Sequence, residues 1–198
     1  MLIRLLDIIF ALCGLVFGFP VLVILTLIGL FDTGSPIFRQ VRVGRNKKPF
    51  TLVKFRTMKP DTAHVASHLA SASAITPFGG FLRRSKLDEL PQLWNVLKGE
   101  MSLVGPRPLL QEYMPLYTPE QARRHLVRPG ITGWSQVNGR NAISWEKKFE
   151  LDVWYVDHRS LMLDLRILWK TVAKVIGRSD ITSGTSVTTE KFTGQNKS

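Results

Sequence analysis

The stretch SKLDELPQLWNVLKGEMSLVGPRP, residues 85–108, is the part of the chain that the other segments are expected to support and position. A residue before proline is disfavoured in the α region, so a short helix is predicted to begin with Pro91 in its first turn. Gly99 is predicted to end this helix. Asp88 and Glu89 then lie side by side at the helix entrance, where unpaired N–H groups and the positive end of the helix dipole favour ionised carboxylates or a phosphate.

The same helix is predicted to be amphipathic. Leu93, Trp94 and Leu97 share one side at a period of 3.6 residues, and we expect that side to be buried. The polar residues are expected to face away from it: Gln92, Asn95 and Lys98.

Adjacent carboxylates close to a fixed arginine indicate phosphate chemistry. Ionised neighbours such as Asp88 and Glu89 can bind a divalent metal, and a carboxylate can also act as a nucleophile. Pro106 and Pro108 flank Arg107 and stiffen the backbone that presents its forked donors to an oxyanion. Further cations surround the acidic pair: Arg83, Arg84 and Lys86. These residues together indicate an anion site that contains its own metal ligands.

A simpler interpretation treats residues 85–88 as a helix-capping box, with Glu89 as a solvated neighbour. Helix-start signals of this kind are common, and a bare Asp-Glu pair would favour that interpretation. The surrounding cations favour the anion site instead.

Separate blocks along the chain follow one another in a characteristic order. They are KFRTM at 54–58, RRSKLDELPQLWNVLKGEMSLVGPRP at 83–108, RPGITGWSQVNGRN at 128–141 and SWEKKFELDVWYV at 144–156. From residue 1 to about residue 192 the chain resembles the bacterial sugar transferase family, the small monotopic phosphoglycosyl transferases. The segment TTEKF at 188–192, with NAISWEKKFE at 141–150, is most similar to the PglC-type members, which start N-glycan assembly on a diacetylbacillosamine.

The resemblance implies a reaction and a nucleophile. In that family the aspartate of the Asp-Glu pair, here Asp88, attacks the β-phosphate of a UDP-sugar and releases UMP. The phosphosugar then passes to undecaprenyl phosphate. We therefore predict a UDP-sugar:undecaprenyl-phosphate sugar-1-phosphate transferase, with Glu89 as the main Mg²⁺ ligand and Asp88 beside it.

Cations are expected around the reacting phosphates, because both substrates are anions and a carboxylate nucleophile must be shielded from them. The resemblance places Lys54 in the active site and suggests phosphate or nucleotide contacts for Arg128 and Arg140. The full predicted set is Lys54, Arg56, Arg83, Arg107, Arg128 and Arg140. Asp152 lies near the apolar side of a predicted helix and needs a cation or a polar partner, so it is either a structural pair or a support of the site.

The composition allows one ordinary domain and indicates anionic partners. The chain has 198 residues, with 27 Lys and Arg against 15 Asp and Glu, a formal net charge of +12. Membrane lipid, nucleotides and nucleic acids all fit such a charge. A non-catalytic basic membrane-anchored or nucleic-acid-binding module is therefore the alternative function. The expected partners of the predicted enzyme are a UDP-sugar, undecaprenyl phosphate and membrane lipid, without nucleic acid. The sequence leaves the oligomeric state open, and a homo-oligomer is possible.

The N-terminal segment is predicted to enter a membrane. Residues 8–31 carry no charge, and as a helix they would reach roughly 36 Å, enough to cross a bilayer core. Pro20 lies at the middle of the segment, close to Gly14 and Gly18, and favours a kink. Composition alone favours a kinked helix that spans the bilayer. The resemblance instead implies a re-entrant helix that enters and leaves one leaflet, although Phe19 stands where the family is expected to have a serine.

Basic residues after this segment predict that the catalytic part lies on the cytoplasmic face of the membrane, which the resemblance implies is a bacterial inner membrane. They are Arg39, Arg42, Arg45, Lys47 and Lys48.

Short strands and amphipathic helices are predicted after the membrane segment. Residues 37–43 and 50–58 are predicted to form a hairpin, with Lys54 and Arg56 on one side of it. Ser144 is predicted to cap a helix that runs to about residue 157. Residues 161–176 are predicted to form a helix that either packs on the core or docks on a membrane surface.

The resulting fold class is α+β: a re-entrant membrane helix, then a small, mostly helical cytosolic domain with a short β-hairpin and interfacial amphipathic helices. The predicted boundaries are 1–31 for the membrane helix, 32–178 for the catalytic domain and 179–198 for a polar tail.

Overall fold

The computed structural model of the chain describes residues 2–62, 72–139, 143–177 and 192–194. The helices in these ranges are α1 (Leu2–Thr33), α2 (Pro77–Ser85), α3 (Gln92–Lys98), α4 (Pro119–Ala122), α5 (Trp134–Asn138), α6 (Trp145–His158) and α7 (Leu161–Ile176). The strands are β1 (Ile37–Val43), β2 (Pro49–Phe55), β3 (Ser102–Val104) and β4 (Gly130–Thr132). The mixed helix and sheet class is confirmed. The predicted domain boundaries stay a prediction, and most of the predicted tail lies outside the described residues.

The predicted hairpin is confirmed, with a shorter second strand. β1 pairs antiparallel with β2 from Ile37 opposite Phe55 to Val43 opposite Pro49. Because opposite residues in an antiparallel pair point to the same face, Arg42 and Lys54 lie on one face of the hairpin, with Leu52 between them. That face points toward the interior of the domain, where Leu52 is buried. The strands β3 and β4 form a separate parallel pair.

The helix predicted to begin at Pro91 is α3, which Pro91 precedes and Gly99 ends in a left-handed conformation with φ of 83°. The prediction of its buried side is confirmed for Leu93 and Leu97, which are partly buried and pack against the core, but was wrong for Trp94, Gln92 and Asn95. Gln92 and Asn95 are buried, whereas the side chain of Trp94 is 54% exposed. The reason is polar rather than apolar packing: the amide of Asn95 accepts a hydrogen bond from the Val53 N–H at 3.1 Å and donates one to the Thr51 carbonyl at 2.8 Å.

Of the described helices, α1 alone is long and apolar enough to cross a membrane. It continues as a helix through Pro20, and many of its large apolar side chains are exposed, among them Phe17 and Phe31. The rest of its surface packs on the domain. Leu25 is buried with Phe55 of β2 and Leu82 of α2.

Both ends of α1 make polar contacts with the domain. Near its N-terminus, Asp7 is buried and accepts hydrogen bonds from the Ser102 hydroxyl at 2.8 Å and the Leu103 N–H at 2.9 Å. At its C-terminal end, Asp32 accepts a hydrogen bond from the Thr76 hydroxyl at 2.7 Å. These contacts fix α1 against the domain along most of its length.

The last two long helices each begin after a serine that caps them. Ser144 accepts a hydrogen bond from the Lys147 N–H, which confirms the predicted start of α6. Ser160 likewise accepts a hydrogen bond from the Leu163 N–H and caps α7. The buried side of α7 contains Leu163 and Ile167, in a cluster with Val104, Val137 and Tyr155. Other apolar side chains of α7 remain exposed: Met162, Leu165, Trp169, Val172 and Val175.

Replacing Asp7 tests how strongly α1 is anchored. Asp7→Ala leaves the Ser102 hydroxyl and the Leu103 N–H without their acceptor, at a cost of about 2–3 kcal/mol, so we expect the unfolding midpoint to fall by roughly 5–10 °C. Tryptophan fluorescence during heating in detergent measures this midpoint. Glu150→Ala is the matched control, since its exposed pair with Lys147 contributes little. An Asp7→Ala midpoint equal to that of the control contradicts the proposed anchor.

Candidate active site

A cavity of about 470 Å³ opens between the hairpin, the turn before α3, the loop after β3 and helices α5 to α7. Several of the residues selected from the sequence line it together: Lys54, Arg83, Asp88, Glu89, Arg107 and Asp152. The acidic pair lies in a single 3-10 turn, Leu87–Glu89, between α2 and α3. Lys86 ends α2 in a left-handed conformation with φ of 61° and turns the chain into this segment. The sequence therefore placed the pair at the entrance of α3 correctly.

Asp88 is the less satisfied of the two acids. Its carboxylate is buried, and its Oδ1 has no hydrogen-bond partner among the described residues. Burial, and then the neighbouring charge of Glu89, raise its pKa to about 6, although Lys54, Lys86 and Arg107 oppose the shift. The group is thus ionised at neutral pH, with lone pairs free for an electrophile or a metal.

Glu89 is held by Arg107, whose Nη2 lies 3.2 Å from Glu89 Oε1. Burial alone would raise the pKa of Glu89, but Arg107, Lys86 and Lys54 outweigh it and hold that pKa below its usual value. The environment therefore divides the pair into one firmly ionised carboxylate, Glu89, and one that titrates closer to neutrality, Asp88.

The loop that carries Arg107 is fixed by close backbone contacts. Gly105 donates to the Thr132 carbonyl at 2.9 Å, and Gly130 donates to the Pro106 carbonyl at 3.0 Å. A Cβ on Gly130 would lie 2.1 Å from the Gly105 nitrogen, so no side chain fits there. The glycines thus bring β3 and β4 together and position the arginine beside Glu89.

Lys54 and Arg83 approach the acidic pair from the hairpin and from α2. Burial lowers the pKa of Lys54 to about 8, although the charge of Asp88 acts to raise it. Arg83 donates to the Thr57 hydroxyl at 2.9 Å. Burial lowers the pKa of Arg83, and the nearby charge of Asp88 acts to raise it. Both cations are therefore close enough to Asp88 to stabilise negative charge that gathers there.

Asp152 supports the site through a buried pair with Arg124. The two side chains are 2.7 Å apart, and Asp152 also accepts a hydrogen bond from the Ser135 hydroxyl at 2.7 Å. Arg124 in turn donates to the backbone carbonyl of Arg107 at 2.8 Å. Asp152 thus has the cation and the polar partner that the sequence required, and the pair holds the loop of the site.

The structure does not bring every predicted cation to the cavity. Arg56 follows the last residue of β2 and donates to the Ser35 carbonyl at 2.8 Å. Arg56 lies near Lys54 as predicted, since both cations lie over the ring of Phe38, at 5.7 and 5.3 Å from its centroid. Arg128 donates to the Gly99 carbonyl at 2.8 Å, at the C-terminal end of α3. Neither side chain lines the cavity. Arg140 lies outside the described residues.

Other cavity residues were missed by sequence reasoning: Arg42, Tyr113, Arg124, Gln136 and Lys148. The hairpin register could have found Arg42, because it puts Arg42 on the same face as Lys54. The others come from segments far away in sequence, and no local pattern connects them with the acidic pair.

Two carboxylates are available for a metal. The described residues contain no group of three or more His, Cys, Asp or Glu side chains that could hold an ion. Asp88 and Glu89 still fit Mg²⁺, because this ion commonly takes one or two protein carboxylates and completes its shell with water and substrate phosphates. The free Oδ1 of Asp88 agrees with that ligand set.

Comparison with known proteins gives the family. The sequence model of the bacterial sugar transferase family matches residues 1–178. EpsL of Bacillus subtilis, named an uncharacterized sugar transferase, is 60% identical over 162 residues, which are 81% of this chain and 80% of EpsL.

Longer relatives include the undecaprenyl-phosphate galactose phosphotransferase of Salmonella typhimurium, 37% identical over 89% of this chain and 40% of that protein. The UDP-glucose:undecaprenyl-phosphate glucose-1-phosphate transferase of Xanthomonas campestris pv. campestris is 42% identical over 73% of this chain and 32% of that protein. The chain therefore spans less than half the length of these two relatives. The chain belongs to the bacterial sugar transferase family and is a transferase.

Proposed function

We propose that this transferase moves a sugar 1-phosphate from a UDP-sugar to undecaprenyl phosphate, giving undecaprenyl-diphosphate-sugar and UMP. The observation that carries the proposal is the cavity in which Asp88, with its unpartnered Oδ1 among the described residues, meets Lys54, Arg83 and Arg107. The names of the two longer relatives support the same pair of substrates. Family membership and the acidic pair favour this enzyme over a non-catalytic basic module.

The proposed reaction has two displacement steps at one phosphorus atom. An oxygen of Asp88 attacks the β-phosphorus, the bond from that phosphorus to the bridging oxygen breaks, and UMP leaves with the electron pair. The sugar phosphate is then an acyl phosphate on Asp88. A phosphate oxygen of the lipid attacks the same phosphorus and releases the carboxylate. Lys54, Arg83 and Arg107 stabilise the charge that develops, and the covalent step separates the encounters with the two anions.

Mg²⁺ is the proposed cofactor, with Glu89 and Asp88 as its protein ligands. The bound ion would neutralise phosphate charge that otherwise repels the nucleophile. Arg107 keeps Glu89 ionised, since it lowers the pKa of that carboxyl against the effect of burial. A carboxylate has two oxygens, so Asp88 can hold the ion through one of them and attack the phosphorus through the other.

The proposal does not yet specify which sugar the UDP-sugar donor carries. The names of relatives support galactose or glucose, whereas the segment at 188–192, most of which lies outside the described residues, resembles members that use diacetylbacillosamine. A panel of the three UDP-sugars with undecaprenyl phosphate, followed by measurement of UMP, decides between them.

The membrane arrangement that fits the contacts is a re-entrant α1, with the domain on the cytoplasmic face of the inner membrane. A spanning helix would place its ends in different aqueous compartments, about 30 Å of hydrocarbon apart. Here Asp7 binds Ser102 and Asp32 binds Thr76, so both ends contact one domain. Pro20 weakens the helix at its middle and eases its bending within a leaflet.

The first prediction from this proposed function separates the two carboxylates. Asp88→Asn should lower turnover by at least about a thousandfold and abolish the covalent adduct, because an amide oxygen does not replace the nucleophile. Glu89→Gln should slow both half-reactions by roughly ten- to a hundredfold, with partial recovery at high Mg²⁺. Intact-protein mass spectrometry after incubation with UDP-sugar, without lipid, detects the adduct.

Asp157→Asn, at an exposed carboxylate paired with Arg123, is the control and should keep the adduct. An adduct on any residue other than Asp88 overturns the assignment of the nucleophile.

The second prediction concerns pH. Lys54 acts as a cation, and its pKa of about 8 means that activity should fall as pH rises through 8. Lys54→Arg should keep its charge and move the alkaline limb upward by at least one pH unit, since arginine stays protonated throughout this range. Rates of UMP release in the first half-reaction between pH 7 and 9.5 give both profiles. An alkaline limb that is identical in wild type and Lys54→Arg excludes Lys54 as its origin.

The third prediction concerns topology. In a Cys13→Ser background, Leu2→Cys and Thr193→Cys should both resist a membrane-impermeant thiol reagent added from the periplasmic side and react after the membrane is opened. Pro20→Leu should shift some molecules toward a spanning helix and expose Leu2→Cys. Periplasmic labelling of Leu2→Cys in the protein that retains Pro20 refutes the re-entrant arrangement.

A further inference from the structure

Several cavity residues carry buried polar atoms that have no hydrogen-bond partner in the described part of the chain. They are Arg42 Nε, Asp88 Oδ1, Tyr113 Oη and Gln136 Oε1. A buried polar atom without a partner carries a desolvation cost, so such atoms at a cavity suggest that a ligand supplies the partner. The proposed reaction uses Asp88 but leaves Arg42 and Tyr113 without a role.

Arg42 extends the row of cations beyond the acidic pair. Lys54 lies opposite Phe38, and Arg42 follows Phe38 by four residues, which is roughly 13 Å along the strand on the same face. Arg107 is the cation that both approach: its charge acts on Lys54 and on Arg42. Arg42 Nη1 lies 3.5 Å from the carbonyl of Pro108, the residue that follows Arg107, and all three cations line the cavity together with Asp88.

The pairing of Arg42 with Arg107 is unfavourable without an anion. Burial, and then the charge of Arg107, lower the pKa of Arg42 to about 10. Its partners are neutral: Nη2 donates to the side-chain amide of Gln40 at 2.6 Å, and Nη1 donates to the Pro108 carbonyl at 3.5 Å. The carboxylate that acts to raise its pKa, Glu112, belongs to an exposed residue. A phosphate beside Arg107 would accept a hydrogen bond from Arg42 Nε, the donor of Arg42 that has no partner among the described residues.

Tyr113 supplies a neutral donor at the same place. Tyr113 is 1% exposed, and the nearby charge of Arg42 acts to lower the pKa of its hydroxyl. Burial raises the pKa of Tyr113, so the hydroxyl keeps its proton at neutral pH and can donate. Its ring packs on Trp145, with a centroid distance of 5.9 Å, and Trp145 also lines the cavity.

We propose that Arg42 and Tyr113 form a second phosphate position, which binds the nucleoside-side phosphate of the donor, the phosphate that leaves as UMP. The position rests on the proposed function, since Arg42 lies beside the loop of Arg107, on the hairpin face of Lys54 and roughly 13 Å along the strand from the residue opposite Lys54. The wall beyond it is aromatic, which suits a nucleoside. When the bridging bond breaks, this phosphate gains negative charge, and Arg42 and Tyr113 stabilise it.

Binding of UMP and of uridine to the full chain in detergent tests the position. Arg42→Gln and Tyr113→Phe should each weaken UMP roughly tenfold or more and leave uridine affinity unchanged, because only UMP carries the phosphate. Arg39→Gln, at an exposed arginine of the same strand, is the control and should bind UMP like the unmodified protein. Equal losses for UMP and uridine, or no loss for UMP, overturn the proposal.

Thermal unfolding separates a ligand role from a structural role for the hydroxyl. Tyr113→Phe keeps the ring packing and removes an atom without a partner among the described residues, so its unfolding midpoint should equal or exceed that of the unmodified protein. A lower midpoint together with weaker UMP binding would indicate a structural hydroxyl and count against the proposal.

The half-reactions distinguish the nucleotide phosphate from the lipid phosphate. Arg42→Gln should slow adduct formation, whereas transfer from preformed adduct to undecaprenyl phosphate should keep its rate and its KM. A raised KM for the lipid with unchanged UMP binding would assign the position to the lipid instead. If the unmodified protein forms no adduct with any UDP-sugar, the proposed function fails, while the comparison of UMP with uridine still tests this position separately.

Discussion

The buried pair of Arg124 and Asp152 is the interaction on which the architecture of the site depends. Arg124 contacts Asp152 of α6, the Arg107 carbonyl in the loop after β3, and the ring of Tyr117. Asp152 adds the Ser135 hydroxyl of α5. Loss of one member of a buried pair leaves the other charge unpaired, at a cost of about 3–5 kcal/mol. A charge-changing substitution here would therefore loosen the loop, α5 and α6 together.

The sequence predicted the features whose causes are local. Asp88 and Glu89 are neighbours, and the proline and glycine that delimit α3 lie within a few residues of them. The hairpin, and the start of α6 at Ser144, follow from strand alternation and capping, which also act over short distances. The order of the blocks, which resembles one family, indicated the transferase, and that family is confirmed.

Features that arise from long-range contacts were not predictable in the same way. Arg42 and Pro108 are 66 residues apart, and Arg124 and Asp152 are 28 apart, so no periodicity connects them. Arg128 was selected because its block resembles the family, but its guanidinium binds the carbonyl end of α3, where a cation is favoured by the helix dipole. A basic residue in a conspicuous motif can thus serve a helix terminus rather than a ligand.

The amide of Asn95 has a consequence for the behaviour of the whole molecule. By bonding to the Thr51 carbonyl and the Val53 N–H, it occupies backbone groups of β2 that point away from β1. An open strand edge is a template on which another chain can add a strand. Asn95 acts as a short substitute for that strand, so this edge of β2 is occupied at Thr51 and Val53. In a protein with this much exposed apolar surface, an occupied strand edge removes one route to association between chains.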